Sequence, residues 1–290
     1  MEAQALTENV TSNRFTQSAE RIFVVARNTS REVLRQRLLP FTMLFAMVLM
    51  VGLSRLRELT FGASELRFIV DVGFGAIDLF GSVLTIALTA QLFFNELEHR
   101  TLFTLLAKPV SRGEFLLGKF FGVGQAIALF SAVLGAVLGV VLWLRAGALI
   151  RANDAADAAS FASIDYTALG ASIVAQTLKL WVVAATTLLV ASFARTQLFT
   201  LATSFLLCVI GHLQEFAQAA AMHSSTIGGK FALKLTLLFS PNFRVFDFSD
   251  AVTGERVFTI REWLRVEAYG AAYVALFLAG ALWCFRKREL

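Results

Sequence analysis

Three observations predict an all-α integral membrane fold for this 290-residue chain. Hydrophobic residues make up 57% of it and charged residues only 16%, with a mean hydropathy of +0.68, so it cannot cover a soluble core with polar surface. The apolar residues are gathered into six long runs. Those runs lack the alternation of barrel strands, and a helix is the remaining way for backbone in lipid to satisfy its own hydrogen bonds. With three prolines and no biased tract, the chain does not have the composition of a disordered one. Cys208 and Cys284 both fall inside apolar runs, so no disulfide framework is expected. A net charge of +5 would suggest nucleic acid in a soluble protein; here its placement matters more, and no nucleic-acid partner is expected.

The arm 1–37 opens the chain. Ile22, Val25, Ala26, Thr29, Val33 and Leu34 fall near one helical face, while Arg27, Arg31 and Arg35 recur every four residues on another. An amphipathic helix with a basic stripe is suited to lying along an anionic leaflet, in contact with membrane lipid. A solvated helix, or one packed on a partner, gives the same pattern. The six-span domain 38–290 follows, with spans at 38–54, 72–95, 120–144, 168–193, 198–217 and 266–285, each near the roughly 20 residues a crossing needs. Pro40 sits in the opening turn of the first, where proline is tolerated. That span does not read as a cleavable signal: a long polar arm precedes it, and Arg55 and Arg57 follow it without a small-residue cleavage site.

Gly118/Gly122 and Ser131/Gly135/Gly139 form small-residue ladders that predict close packing of the third helix. Lys179 falls midway along the fourth run and has two readings. Either it is an intramembrane charge with Asp78 of the second span as its partner, or it snorkels beside Trp181 at a span end. In the long connection 212–265, residues 231–239 are apolar but too few to cross. A re-entrant or interfacial segment ended by the turn Ser240-Pro241-Asn242 is one reading, a soluble loop the other. Placing both termini in the cytoplasm puts 14 Lys/Arg in 73 residues of inner connection and 11 in 103 of outer connection, which favours that orientation. Arg286-Lys287-Arg288, straight after the last span, is its cleanest anchor.

The inner connection between the second and third spans carries the most information. Pro109 disfavours helix at Lys108, so a helix leaving the second span should stop there. Ser111 and Glu114 then have the spacing of a capping box that starts the next helix. Helix, sharp break and helix would place charged groups around an apolar Leu102/Phe103/Leu105/Leu106 cluster, a surface able to dock on a soluble partner or simply a capped elbow. Gly113 to Lys119 also matches the first seven positions of a phosphate-binding loop. Phe120 stands where Ser or Thr must reach magnesium, and no strand precedes, so nucleotide binding by this chain is not expected. Met43, Met47 and Met50 share a helical face, and His212, Glu215 and His223 are near in sequence. Neither set is a tight ligand cluster, so no metal is expected.

The order Glu96, Thr101, Leu105, Ala107, Pro109, Val110, Ser111, Arg112, Phe115, Gly118 and Lys119 resembles the second inner segment of the ABC type-2 permeases, the membrane subunits of ABC exporters. The basic pre-span helix, the outer Ser240-Pro241-Asn242-Phe243 and the ending Phe285 to Leu290 extend the likeness along most of the chain. The resemblance implies a permease without catalytic residues or a cofactor of its own, paired with a second permease subunit, identical or related. ATP would be bound and hydrolysed by a separate P-loop ATPase subunit. It implies that Glu96, Glu98, Arg100, Thr101, Leu105, Leu106, Lys108, Pro109, Arg112, Glu114 and Phe115 face that ATPase as a coupling helix. Pro241, Asn242 and Phe243 would lie near the outer gate. The expected location is a cell membrane, the bacterial inner membrane, crossed several times. A stand-alone secondary transporter or channel, or a membrane scaffold, is the alternative. An intramembrane enzyme is disfavoured, because no nucleophile–base or zinc-ligand signature stands in the spans.

Overall fold

The computed structural model describes residues 2–53, 65–98, 111–151, 164–214 and 240–287. Among them the chain is helical with no strand: α1 (Glu2–Arg35), α2 (Leu38–Leu53), α3 (Glu65–Glu98), α4 (Arg112–Arg151), α5 (Tyr166–Phe193) and α6 (Gln197–His212). A 3-10 turn (Phe243–Phe246), the one-turn α7 (Ser249–Val252) and α8 (Ile260–Lys287) complete the order. Each predicted apolar run lies on one of these helices, with shifted ends. α3 has 34 residues and α4 has 40, lengths of ~51 Å and ~60 Å at 1.5 Å per residue, well beyond the bilayer's ~30 Å.

Four helices, α3, α4, α5 and α8, are long and apolar enough to cross a membrane. A fifth candidate is the pair formed by Ser18–Arg35 and α2, bent by 59° at the break between them. The expected count of six would also need α6, whose 16 residues extend only ~24 Å. The chain is thus a multi-pass helical membrane fold, with four to five candidate spans by length and composition among the described residues.

α5 is the central helix. α8 packs along it, and α3, α4 and α6 touch it as well. Its buried residues include Ser172, Lys179, Thr187 and Ser192, polar groups that an apolar core tolerates when they are bonded. The hydroxyls solve this locally: Ser172 donates to the Ala168 carbonyl at 2.6 Å and Thr187 to that of Val183 at 2.8 Å. Indole N–H groups tie neighbours to one another. Trp181 donates to the Gly124 carbonyl of α4 at 3.1 Å, and Trp263 of α8 to Ala171 of α5 at 3.0 Å.

The arm packs against α4. Ala26, Thr29 and Val33 are buried, and Gly118 and Gly122 give the two backbones their close approach. A Cβ at Gly122 would lie 2.7 Å from the Ala26 carbonyl oxygen. Most of the arm's apolar face therefore meets protein, which is the packed-helix alternative for that pattern. Arg27, Arg31 and Arg35 are exposed, as are Phe23, Val24 and Leu34. Residues 231–239, predicted as a re-entrant or interfacial segment, lie outside the described residues.

Two predictions follow from the packing. Gly122→Val should wedge α1 from α4, costing about 1–3 kcal/mol and exposing the arm to limited proteolysis. At the start of α5, the Asp165 carboxylate accepts from the Thr167 and Ala168 N–H groups at 2.8 and 3.2 Å. Those bonds, Thr167's first, hold its pKa below the ordinary 3.8. A depressed carboxylate pKa means that the cap's stabilisation is fully present above that ordinary value and lost as pH falls through the folded-state value. Asp165→Ala should remove about 1 kcal/mol at neutral pH and flatten the acid limb of thermal stability.

Candidate functional site

Two ionic clusters stand where the sequence places its candidate residues. The first lies among the spans. Asp78, on the helix that begins at Glu65, faces Lys179 on α5, Nζ to Oδ1 2.7 Å. The same carboxylate takes the Nε2 of His212, at the end of α6, at 2.7 Å through Oδ2. His212 Nδ1 lies 2.9 Å from the Cys208 carbonyl, so both ring nitrogens face acceptors, a geometry that suits the doubly protonated ring. One carboxylate thus gathers α3, α5 and α6. Lys179 is 6% exposed and has Asp78 beside it, which is the intramembrane reading of that lysine and not the snorkelling one.

The Pro241–Phe243 segment lies against this cluster. The Asn242 side chain accepts from the Arg244 N–H at 3.0 Å and begins the 3-10 turn, while the Asn242 N–H donates to the Tyr269 hydroxyl of α8 at 2.9 Å. Gln214 holds Ser240 by donating to its carbonyl at 3.0 Å. Phe243 is buried, with its ring centroid 5.1 Å from that of His212 and 5.7 Å from Lys179 Nζ. Gly211 makes this approach possible, since a Cβ there would come within 2.6 Å of the Phe243 ring.

The second cluster lies at the opposite end of α3 from Glu65. Glu96 reaches Lys119 of α4, Nζ to Oε1 2.5 Å, and Glu32 of α1 lies 3.5 Å from the same nitrogen. Lys119 is only 3% exposed, so these carboxylates are its solvent substitute. The predicted capping box is formed in both directions. The Glu114 N–H donates to Ser111 Oγ at 3.2 Å, and the Ser111 N–H donates to Glu114 Oε2 at 2.8 Å. Arg21 lies 3.9 Å from Glu114, so α1 touches the cap as well. Arg112 donates to the Arg286 carbonyl at 3.5 Å, joining the start of α4 to the end of α8. Phe115 is buried in the core.

Of the predicted coupling residues, Glu96, Arg112, Glu114 and Phe115 are therefore placed, within or beside this cluster. Arg100, Thr101, Leu105, Leu106, Lys108 and Pro109 lie outside the described residues, as does the side chain of Glu98. Sequence reasoning missed three participants. His212 was weighed only as a metal ligand, Lys119 only as a motif position, and Glu32 not at all. A signal did exist for Glu32: it lies on the arm within one helical turn of Thr29, the residue that meets Gly122.

Removing one member of the first cluster should expose its cost. Asp78→Asn leaves two cations facing each other and should destabilise the purified protein by about 3 kcal/mol, read as a thermal shift in detergent. Lys179→Met should cost less, because His212 still partners the carboxylate. Lys179→Met combined with Asp78→Leu should recover part of the loss.

A family model described as ABC-2 family transporter protein matches residues 2–290, nearly the whole chain. No curated protein matches it.

Proposed function

Because the chain belongs to the ABC-2 transporter family, and is a multi-pass membrane component of a transporter, we propose that it is the permease subunit of an ATP-driven exporter. In this reading all six apolar helices cross the membrane and both termini are cytoplasmic. Two such subunits pair, and a separate P-loop ATPase docks on the elbow between α3 and α4 and supplies the energy. Arg27, Arg31 and Arg35 lie toward the anionic leaflet, and Pro241, Asn242 and Phe243 stand near the outer gate.

The observation that carries the reading is the Glu96–Lys119–Glu32 cluster. It joins the last turns of α3, the first turns of α4 and the arm α1 through one buried ammonium group. A push on the elbow is then delivered to three helices at once, whereas an unbraced elbow would absorb it by bending. Ser111, Glu114 and Arg21 stiffen the α4 limb in the same way, and Arg112 passes the motion to α8.

The titratable Asp78–Lys179–His212 cluster favours a second reading, a stand-alone secondary transporter that moves protons or ions through those groups. Family membership weighs for the first.

Affinity purification of the tagged protein from its host membrane should bring down a P-loop ATPase. Glu96→Gln and Arg112→Ala should leave that complex assembled while lowering transport-coupled ATP hydrolysis by roughly tenfold, the scale of a typical coupling free energy. Full transport by vesicles containing this polypeptide and no ATPase would overturn the reading in favour of the second.

A further inference from the structure

Two cavities of opposite character meet at one aromatic ring. The larger, of about 290 Å³, presents two cations, Lys179 and Arg244, three carboxylates, Asp71, Asp78 and Asp247, and the Gln176 amide. The smaller, of about 160 Å³, is walled mainly by apolar groups, among them Val183, Leu189, Leu207, Pro241 and Phe277. Phe243 belongs to both linings and is 2% exposed. It is the residue that the two linings share.

Gln176 shows that the polar chamber is more than a packing gap. It is 5% exposed, and its amide makes no hydrogen bond to any described residue. The buried hydroxyls Ser172 and Thr187 on the same helix bond to carbonyls four residues back, an option the longer glutamine side chain does not use. The amide lines the chamber, where a ligand can supply both a donor and an acceptor. The charges around it set what that ligand carries. A bare anion would meet three carboxylates, and a bare cation would meet Lys179 and Arg244. A head with both charges finds a complement for each. The chamber behind Phe243 is mostly apolar, with the Ser204 and Ser240 hydroxyls in its wall, and suits a hydrocarbon chain.

We propose that the two cavities form one site for an amphiphile, its zwitterionic head bonded to Gln176 among the charged groups and its chain lying past Phe243 among Val183, Leu189 and Leu207. As a statement about cargo this rests on the exporter reading; as a statement about binding it does not. Phe243 must rotate to join the chambers, so it is the residue that selects for the chain.

The test uses the full chain in nanodiscs of phosphatidylglycerol, without any ATPase, labelled by a short-chain phosphocholine carrying a diazirine at its chain end. Labelling of α5 and α6 peptides should saturate. Unlabelled octylphosphocholine should compete, whereas glycerophosphocholine (the head alone), octyl phosphate and octyltrimethylammonium should compete at least roughly tenfold less well, the scale of one or two lost polar contacts. Gln176→Leu should raise the half-saturating concentration by a similar factor. Leu207→Trp, which fills the apolar chamber and leaves the polar one intact, should abolish labelling even if Gln176→Leu fails to fold. Non-saturating labelling, equal competition by the head alone or by either singly charged amphiphile, or unchanged labelling in Leu207→Trp would overturn the proposal. Because no ATPase is present, such a failure leaves the coupling reading standing, and loss of coupled ATP hydrolysis elsewhere leaves this site standing.

Discussion

The Asp78 carboxylate is the fixed point of the membrane core. A lysine withdrawn from water needs a counter-charge, and this group on α3 supplies it while its other oxygen meets His212 Nε2. Its two oxygens therefore set the spacing of α3, α5 and α6, and the ring of Phe243 settles on the resulting cationic surface. The 3-10 turn, the hydrogen bond from Asn242 to Tyr269 and the close approach at Gly211 then arrange themselves around that ring. Apolar contacts supply most of the buried area, but contacts between similar side chains do not specify a helix register. A charge pair does, because sliding either helix by one turn would strand a charge.

The Lys119 cluster repeats the logic at the other end of α3. There the partners come from α1, α3 and α4, and one buried ammonium group ties those three helices together. α3 takes part in both clusters, lining the polar chamber with Asp71, Phe74, Gly75 and Asp78 and carrying Glu96 near its other end. The two clusters differ in what surrounds them. Lys119 sits among well-packed apolar neighbours and a helix cap, whereas Lys179 and Asp78 border open space. That contrast separates a structural brace from a place where a ligand can bind.

Much of this was legible in the chain. The capping box at Ser111 and Glu114 is a local pattern of two residues three apart, and it forms as read. The close packing of Gly118 and Gly122 was legible for the same reason, although its partner turned out to be the amphipathic arm. The arm shows where local reading stops. Its apolar face asks for an apolar surface, and lipid and a neighbouring helix satisfy that demand equally well. The six-span count shows the same limit from another side, since hydropathy marks apolar runs and not the helical length that each attains, which is 16 residues for α2 and for α6.

The sequence by itself determined the solvent this protein lives in, the helical class, the places of the apolar runs and the helix cap at Ser111 and Glu114. Each of these depends on composition or on spacings within one or two helical turns. Tertiary structure alone decided that Asp78 would hold Lys179 and also His212, 134 residues away from it in the chain. It alone decided that Glu32 would close the Lys119 cluster, and that Gln176 would face a cavity without a bonding partner among the described residues. Those outcomes depend on which helix faces are turned toward one another. Nothing local fixes that choice; for the two ionic clusters it follows from the cost of leaving a buried charge alone.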